Sequence, residues 1–184
     1  MTCRILAVLA ALALSACVTA PARPPADAFF ARLQALCGHG FAGRLVSTEP
    51  ADAAFAGKPL FMRVEACTAS EVRIPFSVGE DRSRTWIVTR TAAGLRLKHD
   101  HRHVDGTEDV LSRYGGDTLG GGSARRQDFP ADAFSRALFQ QRGNPASVDN
   151  VWAMEIEPGR TFAYELRRPG RHFRVEFDLG RPVK

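Results

Sequence analysis

Lysine is scarce in this chain: Lys58, Lys98 and Lys184 are the only ones among 25 basic residues, and the rest are arginine. The formal charge of +5 is spread along the chain and interleaved with acids. No basic block or stripe stands out, so a nucleic-acid partner is not indicated. Long apolar runs are missing as well. The run at residues 5–14 is about half of the roughly 20 residues needed to cross hydrocarbon. Gly-x-Ser-x-Gly, zincin and nucleotide-binding motifs are absent, and no Cys-x-x-Cys spacing points to a metal or redox site.

What is present begins at the N-terminus. Arg4, the apolar run and then Leu14-Ser15-Ala16-Cys17 make a short segment that closes on small residues. That is the pattern of a secretory signal rather than a membrane span. Its ending resembles the lipobox of bacterial lipoproteins. The resemblance implies a signal peptide at residues 1–16, a lipid on Cys17 as the mature N-terminus, and a membrane partner through that lipid. Val18 follows in place of the aspartate that resembles an inner-membrane retention signal, so the expected location is the outer membrane, facing the periplasm. Residues 17–25 are proline-rich and read as an extended tether. Residues 26–184 read as one domain, expected to be a monomer. With Cys3 removed and Cys17 lipidated, Cys37 and Cys67 remain. An oxidising compartment favours a disulfide between them, with two buried free thiols as the alternative.

Residues 26–37 place Phe29, Phe30, Leu33, Leu36 and Cys37 at helical spacing, stopped by Gly38 and Gly40. From there the period becomes two. Leu60, Met62 and Val64 alternate with Phe61, Arg63 and Glu65, and Val72, Ile74, Phe76 and Val78 with Arg73, Pro75 and Ser77. Trp152, Met154 and Ile156, then Phe162, Tyr164 and Leu166, then Phe173, Val175 and Phe177 repeat the pattern across two Pro-Gly turns. One apolar and one charged face is the signature of antiparallel sheet wet on one side. Gly115-Gly116 and Gly120-Gly121-Gly122 bracket what reads as a flexible loop, and residues 130–139 as a short helix. The expected fold is mainly β: an N-terminal helix, then an antiparallel up-and-down β-barrel of about 8–9 strands, with a two-sheet β-sandwich as the alternative. The opening Leu36-Cys37-Gly38-His39-Gly40-Phe41-Ala42-Gly43 resembles the calycin pattern of lipocalins and related barrels. Arg174 takes the place in the last strand where that group often keeps an arginine.

The chemistry is concentrated in Lys98-His99-Asp100-His101-Arg102-His103-Val104-Asp105-Gly106. At strand period, Leu95, Leu97, His99, His101, His103 and Asp105 share one face, and Arg96, Lys98, Asp100 and Arg102 the other. The all-charged set reads as the wet outer face. The histidines then face inward, between a dry leucine floor and a polar mouth. Residues 84–91 form the partner strand. A three-residue turn, Ala92-Ala93-Gly94, would pair Thr91 with Leu95 and set Ile87, Thr85 and Ser83 opposite His99, His101 and His103. A change of one residue would set Trp86 and Arg84 there instead.

Three readings follow for this strand. His99, His101, His103 and Asp105 form a candidate set of ligands for a transition metal. His99, His101 and His103 with Arg82, Ser83, Arg84 and Thr85 form a candidate rim for a small polar or anionic molecule. A hydrogen-bonded structural cluster is the third. Ser83 beside a histidine falls short of a triad. His172 is expected to be solvated and His39 to sit at a helix end. Residues 79–86 with 97–106 resemble a group of short secreted bacterial proteins, which implies no activity. Three functions stay open: a lipid-anchored binding protein with a histidine-lined mouth, a scaffold or envelope-interaction lipoprotein without a ligand, and a metal-dependent enzyme using the histidine strand.

Overall fold

The computed structural model describes residues 24–120 and 122–183; the signal segment, Cys17 and most of the tether lie outside them. The alternating segments build one antiparallel sheet of ten strands: β1 (Gly40–Leu45), β2 (Leu60–Arg63), β3 (Glu71–Val78), β4 (Asp81–Thr91), β5 (Gly94–His101), β6 (Gly115–Asp117), β7 (Arg126–Pro130), β8 (Val151–Glu157), β9 (Thr161–Arg168) and β10 (Arg171–Val183). Their order is β6-β5-β4-β3-β2-β1-β10-β9-β8-β7. The sheet curls until β6 and β7 face each other, so it is nearly closed and barrel-like. The strand count exceeds the expected eight or nine, because β6 and β7 come from the stretch where apolar alternation gives no signal. Gly115 and Gly116, expected to border a loop, are ladder residues opposite Lys98 and Leu97.

The inward face is the apolar one. Val72, Ile74, Trp152, Met154, Phe162, Val175 and Phe177 are all buried within a single core. Each such side chain contributes roughly 1.5–3 kcal/mol by leaving water, which is ample to hold the curl.

The seam between β6 and β7 is closed without a strand ladder. Gly116 lies so close to β7 that a Cβ there would overlap the Pro130 carbonyl oxygen. Just after β7, Asp132 N donates to the Gly115 carbonyl at 3.0 Å. Helix α2 (Ala133–Gln141) begins there, capped by the Asp132 carboxylate, which accepts from Ser135 N at 2.8 Å. The Ser135 hydroxyl accepts from Gly115 N at 2.7 Å and donates to the Gly115 carbonyl at 2.9 Å.

Helix α1 (Pro25–Gln34) starts with proline in its first turn, where a missing N–H costs nothing. It buries Phe29, Phe30 and Leu33 completely at one end of the sheet, against β5, β7 and β8. Arg90 lies over the Phe30 ring at 4.6 Å and pairs with Asp27. A disulfide joins Cys37 to Cys67, tying the segment after α1 to the β2–β3 connection. This end is the base. The connections at the opposite end form a mouth.

The β4–β5 hairpin has the tighter of the two registers. Thr91 pairs with Gly94 across a two-residue turn, so Trp86 lies opposite His99 and Arg84 opposite His101. Of the two registers that the sequence left open, this is the one with Trp86 and Arg84, and not Ile87, Thr85 and Ser83, set against the histidines. Gly94 is not the last turn residue; it is glycine because Thr118 packs where a Cβ would be, while the Thr118 hydroxyl accepts from Leu95 N at 3.0 Å. That packing partner is 24 residues away in the chain, which is why turn chemistry alone misassigns the glycine.

Candidate ligand-binding site

Leu95 and Leu97 are buried inside the sheet, and His99 and His101 follow them on the same inward face of β5. Above the leucines a cavity of about 170 Å³ opens toward the mouth. Its walls are aromatic. Trp86 is stacked between Phe76 and Tyr164, with centroids 4.7 and 4.3 Å away. His99 stacks on Tyr114 at 4.5 Å, and Trp152 stands 5.5 Å from Tyr114.

Two histidine–tyrosine pairs cross this cavity. His99 Nε2 is 2.7 Å from the Tyr164 hydroxyl, and its Nδ1 is 3.1 Å from the Tyr114 carbonyl. His101 Nε2 is 3.0 Å from the Tyr114 hydroxyl. Complete burial pushes the His99 imidazole down to about 3, so the ring is neutral. Burial, and then the nearby Arg84 charge, lowers His101 as well. Burial drives the Tyr114 phenol up to about 12 and raises Tyr164 well above its ordinary value as well.

The mouth is charged. Beyond the cavity lies an open vestibule of about 610 Å³, whose charged lining residues are Arg84, Arg168, Arg171 and Asp109. Arg84 pairs with Asp81, whose carboxyl is held at about 2 by hydrogen bonds from Ser83 and Arg84 that outweigh its partial burial. Arg171 is anchored by Glu49 at 2.7 Å and by Asp52. Arg168 is held by neutral oxygens, Asn150 Oδ1 at 2.9 Å and Ser147 Oγ at 3.4 Å.

The expected rim is therefore assembled in part. His99, His101 and Arg84 converge on the cavity, and Ser83 reaches only the vestibule. Thr85 belongs to the outer face opposite Pro75 and Asp100, and Arg82 lies in an outer hollow with Phe61 and Phe76. His103 is exposed and faces Asp109 at 3.7 Å. Asp105 bonds to Thr107 in a turn. The four-residue metal set is corrected for the same reason. Strand β5 ends at His101 and the chain turns, with Gly106 N donating to His103 O at 3.0 Å, so alternation no longer governs where the later side chains point. Among the described residues, no three His, Cys, Asp or Glu side chains are gathered as a metal ion requires. The outer face of β5 is also drier than expected: Asp100 is buried beneath the guanidinium groups of Arg102 and Arg113. His172 is exposed, as its outer-face position implied.

Phe55, Tyr114, Trp152, Tyr164, Arg168 and Arg171 complete the site without having been candidates. Trp152 and Tyr164 were legible as inward positions, and only their meeting with His99 was hidden. Tyr114 and Phe55 arrive through connections, where no periodicity signals direction, whereas Arg171 opens β10 on the inward parity of Phe173 and was legible by alternation.

The chain matches no protein-family model, no curated protein and no solved structure. The site's own geometry carries the functional argument.

Proposed function

We propose that this is a lipid-anchored envelope protein that binds a small anionic organic molecule at the histidine-lined mouth of its barrel-like sheet. One observation carries the reading: an aromatic cavity that opens onto a rim where Arg168, held by neutral oxygens, stands beside the ion-paired guanidinium groups of Arg84 and Arg171. Ligand sites combine such an apolar body with a few placed polar groups. A scaffold role predicts a filled interior, whereas here the leucine floor stops short of the mouth. Catalysis is the weaker reading, because His99 is far from the neutral pKa of a general base and its Nε2 already faces Tyr164. The lipobox-like Cys17, the disulfide and the meandering strand order support an exported lipoprotein with a calycin-like, up-and-down barrel. Because the described chain starts with α1 at the base, a lipid on Cys17 would leave the mouth facing away from the membrane, toward the periplasm.

Both tryptophans of the chain line the cavity, so their fluorescence reports occupancy. The test is a panel of small carboxylates and phosphates titrated into purified mature protein. Binding is expected to weaken with salt, as arginine–anion attraction does. Arg84→Gln is expected to lower affinity at least ten-fold, and Arg174→Gln, on the opposite face of the sheet, to leave it unchanged. A panel without a binder, or equal losses in both variants, overturns the reading.

A further inference from the structure

The hydrogen-bond polarity of the cavity specifies what its occupant must bring. The Tyr114 carbonyl can only accept, so the hydrogen of the neutral His99 ring sits on Nδ1. Nε2 is then a bare acceptor, and the Tyr164 O–H is the donor that meets it at 2.7 Å. That hydroxyl hydrogen points into the protein and leaves the phenol oxygen as an acceptor. Even with the Trp86 indole N–H close by, one of its two acceptor positions remains. At the neighbouring pair, the Tyr114 hydroxyl and His101 Nε2 satisfy each other. The Tyr164 oxygen, the deep polar atom of the site, can thus take a donor, whereas the rim presents guanidinium N–H groups, Arg168 being held there by neutral oxygens alone, and so suits an acceptor of negative charge.

Size and shape narrow the choice further. An apolar cavity of about 150 Å³ takes up benzene, and this one measures about 170 Å³. The Trp86 stack and the Tyr114–His99 stack offer flat faces, which favour a planar ring over a flexible chain. Arg84 and Arg171 line both cavity and vestibule, so a group one or two atoms off the ring reaches them.

Building on the binding reading, we propose that the occupant is an aromatic carboxylate with a hydrogen-bond donor on the far side of the ring, a para-hydroxyaryl acid being the simplest member. The ring fills the cavity, its hydroxyl donates to the Tyr164 oxygen, and its carboxylate rests among Arg84, Arg168 and Arg171.

Four probes separate the elements of this proposal when titrated into the full mature chain, with tryptophan fluorescence and calorimetry as readouts. 4-Hydroxyphenylacetate carries donor and anion. Phenylacetate lacks the donor, 4-methoxyphenylacetate replaces it with an acceptor, and tyramine replaces the anion with a cation. The expected order is 4-hydroxyphenylacetate first, phenylacetate at least ten-fold weaker, 4-methoxyphenylacetate weaker again, and tyramine unbound. Arg84→Gln should weaken the three acids alike and preserve the ratios among them. Equal or tighter binding of phenylacetate or 4-methoxyphenylacetate overturns the donor requirement while leaving the binding reading intact. Binding of tyramine as tight as that of the acids overturns the requirement for an anion. If none of the four binds, the ligand class is wrong, and the wider panel of carboxylates and phosphates decides the binding reading separately.

Discussion

His99 couples the stability of the molecule to pH. Its folded-state pKa of about 3 lies below the usual 6.5, because burial penalises the imidazolium. Between those values the unfolded chain takes up a proton that the folded chain refuses. Stability is therefore full above pH 6.5 and is lost as pH falls, by up to about 1.4 kcal/mol per pH unit from this one group. His101, lowered first by burial and then by Arg84, adds the same sign. The carboxylates held low, including Asp81 and Glu165, act only below their ordinary values of 3.8 and 4.5. Urea unfolding at pH 6.5 and at pH 5 thus isolates the histidines: the natural protein should be less stable at pH 5, and His99→Gln should shrink the difference to the part that His101 supplies. An equally flat profile in the natural protein would contradict a neutral buried His99. The pair can be tested from its other side as well. Tyr164→Phe leaves Nε2 without its donor and should cost about 1–3 kcal/mol. In a denaturant-unfolding cycle, His99→Leu combined with Tyr164→Phe should cost less than the two separate losses together, since the double change removes both halves of one hydrogen bond.

Among the elements, the weak place is the seam. Ladders join every other neighbouring pair of strands, but β6 and β7 meet through one backbone hydrogen bond, the Ser135 hydroxyl and the contact at Gly116. Gly116→Ala puts a methyl group into the Pro130 carbonyl, a backbone atom that cannot rotate away. Thermal and urea unfolding should show a loss of about 2 kcal/mol or more, in the range of overpacked cores. Hydrogen exchange should rise first in β6, β7 and α2. Exchange rising uniformly over the sheet would mean that the seam is not a separate unit. Gly94→Ala should behave similarly at the β4–β5 turn, where Thr118 occupies the space.

At the scale of the molecule, the proposed function joins an anchor at one end to a mouth at the other. The Cys17→Ser protein is expected in the soluble fraction after cell lysis, and the natural protein in the membrane fraction. Multiple acyl chains anchor stably where a single chain is marginal. A Cys17→Ser protein that stays with the membrane would remove lipid as the anchor. Because the described chain starts with α1 at the base, away from the mouth, the released protein should keep its ligand affinity, measured by tryptophan fluorescence.

The sequence by itself determined the β character of the chain, the inward and outward residues of most strands, and the inward aim of His99 and His101. It also pointed to the Cys37–Cys67 disulfide. Those features follow from simple rules: period two sorts side chains to faces, and Cys37 and Cys67 are the two cysteines that lie outside the signal-like N-terminal segment. Tertiary structure alone decided the rest. The hairpin took the register in which Gly94 is a ladder residue with Thr118 packed against it, and the fate of His103 and Asp105 depended on where β5 ends. Tyr164 and Tyr114 became partners of the histidines only when the sheet curled across the interior. The chain separation in the His99–Tyr164 pair is 65 residues, so no spacing rule could have announced it. Which face a strand side chain takes is set by alternation, but what it meets across a cavity is set by the curl of the sheet, a property of all ten strands together.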